Sequence, residues 1–164
     1  YPFRQHFFSK SWQATANTPR FLALIGATET FTGGAHGNRG YDTLIWDRAA
    51  EKLLDFYQIF TSRDAFVAAT RPAYCQELNR MREEKRGSPV VESGDDFLNG
   101  CPDYNELNIL PFSGNGETID RIYFMTGPYI AGPWAEGDYE ISLPITEAIR
   151  SAVKPSYRAD FGVP

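Results

Sequence analysis

Asp138-Tyr139-Glu140-Ile141-Ser142-Leu143 alternates polar with apolar side chains at every step, Tyr139, Ile141 and Leu143 falling on one side. A period of two sends successive side chains to opposite faces, so the segment predicts a strand with one face in the core and one wet. Just downstream, Thr146 can cap a short helix, Glu147 suits its positive end, Lys154 its negative end, and Pro155 stops it. Upstream, 107–112 and 119–126 read as two more strands. So do 5–14 and 20–31, joined by a polar turn at Asn17-Thr18-Pro19. Residues 41–46 alternate again, with Tyr41, Thr43 and Ile45 on one face and Leu44 and Trp46 on the other, as in a strand covered on both sides. Residues 47–52 then turn the chain into 53–60.

Between these strands lies helical sequence. Ser62 is placed as an N-cap, Asp64 complements the dipole of the first turn, and 65–69 favours a helix. Thr70-Arg71-Pro72 predicts a restart or kink, because proline removes a hydrogen bond anywhere past the first turn. Tyr74, Cys75, Leu78 and Met81 recur at helical spacing, Lys85 and Arg86 occupy the last turn, and Gly87 can close it. The helix has one buried face. From 87 to 102 the Gly, Ser, Pro and Asp content predicts an irregular excursion, without a second domain in it.

The 164 residues, 42% hydrophobic, fit one globular unit spanning 1–164. Twenty-four aromatic residues (12 Phe, 9 Tyr, 3 Trp), many in short alternating runs, favour sheet over a helical bundle. The expected class is α+β: an antiparallel sheet with one main helix packed against it and a short C-terminal helix. A net charge of −5 argues against a nucleic-acid partner, which needs a cationic patch, and suits a cationic one. No run approaches the length of apolar sequence that spans a membrane, and the opening at Tyr1 shows no signal-peptide pattern. The expectation is that the chain begins inside a longer precursor, so that any membrane attachment is through an anchor outside it.

Few residues could carry chemistry. Cys75 and Cys101, 26 positions apart, are compatible with a disulfide that would stabilise the fold by roughly 3 kcal/mol, or with two separately buried thiols. No CxxC pair marks redox catalysis. His6 and His36 are the only histidines; His36 sits in Thr32-Gly33-Gly34-Ala35-His36-Gly37-Asn38 with no nucleophile motif beside it. Its expected part is to fix the loop by hydrogen bonds, while Gly33, Gly34 and Gly37 supply conformations closed to other residues. The spacing of these groups has no metal-site pattern; 113–120 reads as a turn and not a calcium loop, and 32–37 lacks the ending of a phosphate loop. No cofactor, metal or catalytic residue is expected.

The loop Gly127-Pro128-Tyr129-Ile130-Ala131-Gly132-Pro133-Trp134-Ala135-Glu136-Gly137 joins two strands through two large aromatics held by prolines. Such a loop either forms a recognition surface, since aromatic anchors give contact area at low entropic cost, or caps the edge of the core.

The order of these motifs resembles a known arrangement: the 32–38 loop, Trp46-Asp47 at a strand end, Tyr74-Cys75 on a helix, Cys101-Pro102, then Pro128-Tyr129-x-Ala131-Gly132-Pro133-x-Ala135-x-Gly137 before a strand and Pro144. Together they are similar to the paired bacterial domains DUF 4163 and DUF 3298, residues 1–50 resembling the end of the first and 51–164 the second. The family includes the outer part of RsiV, an anti-sigma factor that binds lysozyme, and regions beside some peptidoglycan deacetylases. The resemblance implies an extracytoplasmic place, in the periplasm or cell envelope, secreted or behind a lipoprotein-type anchor. The oxidising compartment it implies favours the Cys75–Cys101 bridge.

The function expected is therefore non-catalytic binding or sensing of a lysozyme-like protein or a peptidoglycan-type ligand. The expected surface comprises Gly33, Gly34, His36 and Asn38 on one loop and Tyr129, Pro133 and Trp134 on the other. The competing reading is a hydrolase of cell-wall polymer, or an accessory domain of one.

Overall fold

The computed structural model describes residues 5–91 and 98–163. Most of the 87–102 excursion's centre, 92–97, thus falls outside the described residues. Three long strands, β1 (Phe7–Asn17), β2 (Phe21–Phe31) and β3 (Asn38–Asp47), form an antiparallel meander that ends in the short β4 (Lys52–Leu53). Thr18 sets the first turn: its N–H donates to the Phe21 carbonyl and its hydroxyl accepts from the Phe21 N–H at 3.0 Å. The 24-residue helix α1 (Arg63–Arg86) follows. Then β5 (Asn108–Phe112), β6 (Arg121–Thr126) and β7 (Tyr139–Pro144) make a second antiparallel sheet in that order, and α2 (Glu147–Ala152) closes the chain's regular structure. The α+β class with one main and one short helix is as the sequence predicts. The strands, however, divide between two sheets.

The sheets meet at one end. A bulge between Ala14 and Ala16 turns β1 locally, and the buried Thr15 hydroxyl donates across to the Pro111 carbonyl of β5 at 2.9 Å, while Ser113 N–H donates back to the Thr15 carbonyl. Beneath this seam Ala16, Phe21, Ala23 and Ile45 join Ile109 and Leu110 in the core. The opposite ends of β1, β2 and β3 run free of it: every residue of 7–14 is exposed.

Helix α1 packs on β7 and α2 through a stripe repeating every fourth residue: Phe66, Thr70, Tyr74, Leu78 and Arg82 are all buried. Rings crowd around it, with Phe60 4.5 Å and Phe56 5.0 Å from Phe66, and Phe124 4.9 Å from Tyr74. The polar tips are satisfied, Tyr74 pairing with Thr126 at 2.8 Å and Tyr104 with Thr70 at 3.1 Å. Ser62 caps the start and Gly87, at φ 68°, the end. The restart at Pro72 does not occur, and the helix runs through it. Pro72 and Ala68 both lie on the exposed side, where the carbonyl that loses its N–H partner can meet water. Arg71 also fastens this turn, donating to the Cys101 and Pro102 carbonyls at 2.9 and 3.0 Å. Cys75 and Cys101 are joined, Cα atoms 5.6 Å apart.

Among the charged residues of the first sheet, Asp47 is wholly buried. Its carboxylate accepts both arms of Arg20 and the N–H groups of Ala49 and Ala50 at 3.0–3.1 Å. Burial alone would raise its pKa, but the Arg20 fork and the two amides outweigh it and hold the carboxyl below its ordinary value. A depressed carboxyl contributes stability above its unfolded pKa and loses it as pH falls through the folded value. Asp47→Asn should therefore cost about 2 kcal/mol at neutral pH and much less in acid. Urea unfolding of both proteins between pH 7 and pH 2 should show the curves converging; parallel curves would mean that the pair carries no such charge dependence.

Candidate functional site

The 32–38 loop and the 127–137 loop, far apart in sequence, meet. Gly33 and Gly34 take φ near +105° and +101°, values that side chains rarely tolerate, and turn β2 back toward β3. Gly37 is different from the expectation: its φ is not left-handed, and glycine is needed because a Cβ would lie 2.7 Å from the Thr30 carbonyl oxygen. This hairpin carries His36 outward. Its Nδ1 lies 2.7 Å from the Gly37 carbonyl, which can only accept, so Nδ1 holds the proton and Nε2 accepts from the Tyr129 hydroxyl at 3.0 Å. The imidazole stacks on Trp134 at 4.3 Å and 13°, and Tyr129 stands 6.2 Å from the same indole.

Tyr129 reaches this place at φ 68°, in the left-handed region, with its N–H donating to the Gly132 carbonyl at 2.9 Å. Such a conformation costs a non-glycine residue on the order of 1 kcal/mol. The ring is 54% exposed, so it does not cap the core edge. Pro133 leads into the single turn Trp134–Glu136 that presents the indole. Asn38, at the head of β3, lines a cavity of about 170 Å³ with Phe7, Glu29, Thr30, Gly37, Arg39 and Trp134. Of the residues expected, His36, Tyr129 and Trp134 touch; Asn38 adjoins Trp134; Gly33, Gly34 and Pro133 shape the backbone.

Below this aromatic lip the two sheets diverge into a groove of about 300 Å³. Arg39 and Tyr41 both donate to Asp138 Oδ2, at 2.5 and 2.6 Å. Arg39 also reaches Glu29 at 2.7 Å, and the Tyr123 hydroxyl donates to Glu140 at 2.8 Å. Burial and the bond to Asp138 push the Tyr41 hydroxyl's pKa up; burial and Glu140 do the same for Tyr123. Both phenols stay protonated donors. A wider, shallower hollow of about 890 Å³ lies on the other side, between α1 and 142–144, but Arg80 there is already paired with Glu77 and Glu84.

Two solved structures align over 94% of this chain: a DUF3298 family protein from Pseudomonas aeruginosa PAO1, at TM-score 0.55 and 16% identity, and one from Bacteroides fragilis, at 0.60 and 18%. The fold is that of solved DUF3298 proteins. The chain spans 64% and 57% of the length of those two, and the likeness at such identity carries architecture and no activity. No protein-family model and no curated protein matches the sequence.

In this DUF3298-type fold the helix supports the lip, which the sequence reading missed. Arg82 Nε donates to the Ala131 carbonyl at 2.9 Å, and Arg86 forks onto Glu136 at 2.8 and 3.0 Å. Lys85 reaches the carbonyls of Glu136 and Asp138 and lies 3.9 Å over the Tyr139 ring, its pKa lowered by burial. Tyr139 also donates to Glu136. Burial would raise the Glu136 carboxyl, but Arg86 and Tyr139 hold it low. Read alone, Lys85 and Arg86 suggest only favourable charges at a helix end. The groove's carboxylates had a visible signal in the wet face of 138–143, though not their partners.

Both cysteines are consumed in the disulfide, so neither offers a nucleophile. Among the described residues no three His, Cys, Asp or Glu side chains converge as a metal site, and no helix is long and apolar enough to cross a membrane.

Proposed function

We propose that this chain is a non-catalytic binding domain working outside the cytoplasm, and that the His36–Tyr129–Trp134 cluster is its recognition surface. The observation that carries this reading is the convergence of three rings from two distant loops, His36 and Tyr129 exposed and Trp134 half-buried, held by a bonded framework. Preorganised aromatic groups of this kind lose little entropy when they bind. The Cys75–Cys101 bridge supports an oxidising compartment. His36 is bonded to a phenol and a carbonyl and not to a carboxylate, which favours positioning over proton transfer. The RsiV-like resemblance makes a lysozyme-type protein and soluble peptidoglycan fragments the ligands to try.

Calorimetric titration of the oxidised domain with c-type lysozyme and with such fragments, at two salt concentrations, tests the reading. One of them should bind saturably. Tyr129→Ala with Trp134→Ala should weaken that binding by about a hundredfold or more while leaving the unfolding midpoint nearly unchanged, since anchors of this type carry about 2 kcal/mol each. Undiminished binding by the folded double variant would refute the surface. Release of soluble sugar by the wild-type protein would replace the reading with a hydrolase.

A further inference from the structure

The groove beneath the lip has its own chemistry. Its floor is apolar, formed by Ile25, Ala27 and Met125, with Ile25 and Met125 nearly inaccessible to solvent. Its walls carry Glu29, Asp138 and Glu140 against the single guanidinium of Arg39, a formal excess of two negative charges. Asp138 binds Arg39 and Tyr41 through Oδ2 alone; among the described residues its buried Oδ1 has no hydrogen-bond partner, so its charge is only partly offset. Glu29 and Arg39 also line the cavity under Trp134, so the two hollows adjoin. On β1 the two together reach from Gln13 and Ser11 to Phe7, six residues or on the order of 20 Å at ~3.4 Å per residue.

An apolar floor under a carboxylate rim matches a side chain with an alkyl stem and a cationic head. The aromatic faces at the rim, Tyr41, Tyr123 and Trp134, add attraction for a cation and none for an anion. A neutral sugar would leave the excess charge unanswered, and an anionic one would be repelled. We infer that this inter-sheet groove binds a short extended segment of a protein partner through its lysine or arginine side chains. The stem lies along Ile25, Ala27 and Met125, and the head meets Glu140 and Glu29. The inference rests on the binding reading above and gives that site a partner of stated chemistry.

The test uses an acetylated, amidated hexapeptide alternating lysine with serine, the same peptide with glutamine for lysine, and chitotetraose, each titrated into the oxidised domain with the Met125 and Ile25 methyl resonances followed by NMR. The lysine peptide should shift both methyls and saturate, and binding should weaken as salt rises. Glu29→Gln with Glu140→Gln should weaken it by about tenfold or more, whereas Glu77→Gln in the opposite hollow should not. Equal binding of the glutamine peptide, an unaffected double variant, or methyl shifts with chitotetraose in place of the lysine peptide would each overturn the inference, as would no binding of the lysine peptide. The two readings fail separately. If lysozyme capture is lost with Tyr129→Ala and Trp134→Ala but unchanged by the groove variant, the lip stands and the groove falls. If the methyl shifts survive loss of the lip, the groove stands without it.

Discussion

Arg82→Met should destabilise the protein by about 3–5 kcal/mol, as much as emptying a buried aromatic site in the core. The guanidinium is completely buried and, among the described residues, has no carboxylate bonded to it. Its acceptors are the carbonyls of Ala131, Asn99 and Gly100 and the side-chain oxygen of Asn79, all within 2.9–3.0 Å. Methionine fills similar length but donates nothing, leaving the buried Ala131 carbonyl without the charged donor that satisfied it. Burial and the neighbouring Arg86 lower the pKa of Arg82, yet from so high a starting value that it remains charged, so the loss is of a charged donor. Urea unfolding monitored by tryptophan fluorescence measures it. The exposed Arg80→Met, two residues away and on the other side of the helix, should leave the midpoint where it is. A change under about 1 kcal/mol for Arg82→Met would mean that water or a shifted backbone satisfies those carbonyls equally well.

Removing the bridge by Cys75→Ala with Cys101→Ala should cost about 3 kcal/mol. The two residues are 26 apart, and closing a loop of that size restricts the unfolded chain. In the folded state the same segment is gripped independently by Arg71, Arg82 and Arg86, so its position should survive the loss. The signature is therefore a lowered unfolding free energy with near-native resonances for Tyr104 and Leu107. If those resonances move instead, the bridge and not the arginines holds the segment. Because the arginines and the bridge act on one stretch of chain, Arg82→Met in the bridge-free protein should give a non-additive cost.

Much of this architecture can be read before any coordinates are seen, for local reasons. The alternation at 138–143 is strict because β7 has one face in the core and one toward solvent, and Ser62, Gly87 and Thr146 cap where capping chemistry puts them. The division into two sheets was not legible, since a strand's pattern shows which face is buried and not which neighbour it pairs with. Arg82 falls on the same helical stripe as Phe66, Thr70, Tyr74 and Leu78, but a charged residue in that register reads as surface. The two aromatic loops stood out as compositional oddities, although their contact did not, because His36 and Tyr129 are 93 positions apart. The groove was hidden for the same reason: Arg39 and Asp138 are separated by 99 residues, and each alone looks like an ordinary surface charge.

The arginine grip on 98–102 has an evolutionary corollary. Arg71, Arg82 and Arg86 seize the main-chain oxygens of five consecutive residues, Leu98 through Pro102, and only one side chain there, Asn99. Every amino acid carries the same carbonyl, so, apart from Cys101 in its bridge and Asn99 with its held side chain, the composition of this stretch is free to drift among descendants of the chain. Its length is not: one residue inserted or deleted within it would put the oxygens on one side of the change out of register with their guanidinium groups. Lineages should therefore diverge at Leu98 and Gly100 by substitution and keep the residue count from Leu98 to Pro102 intact.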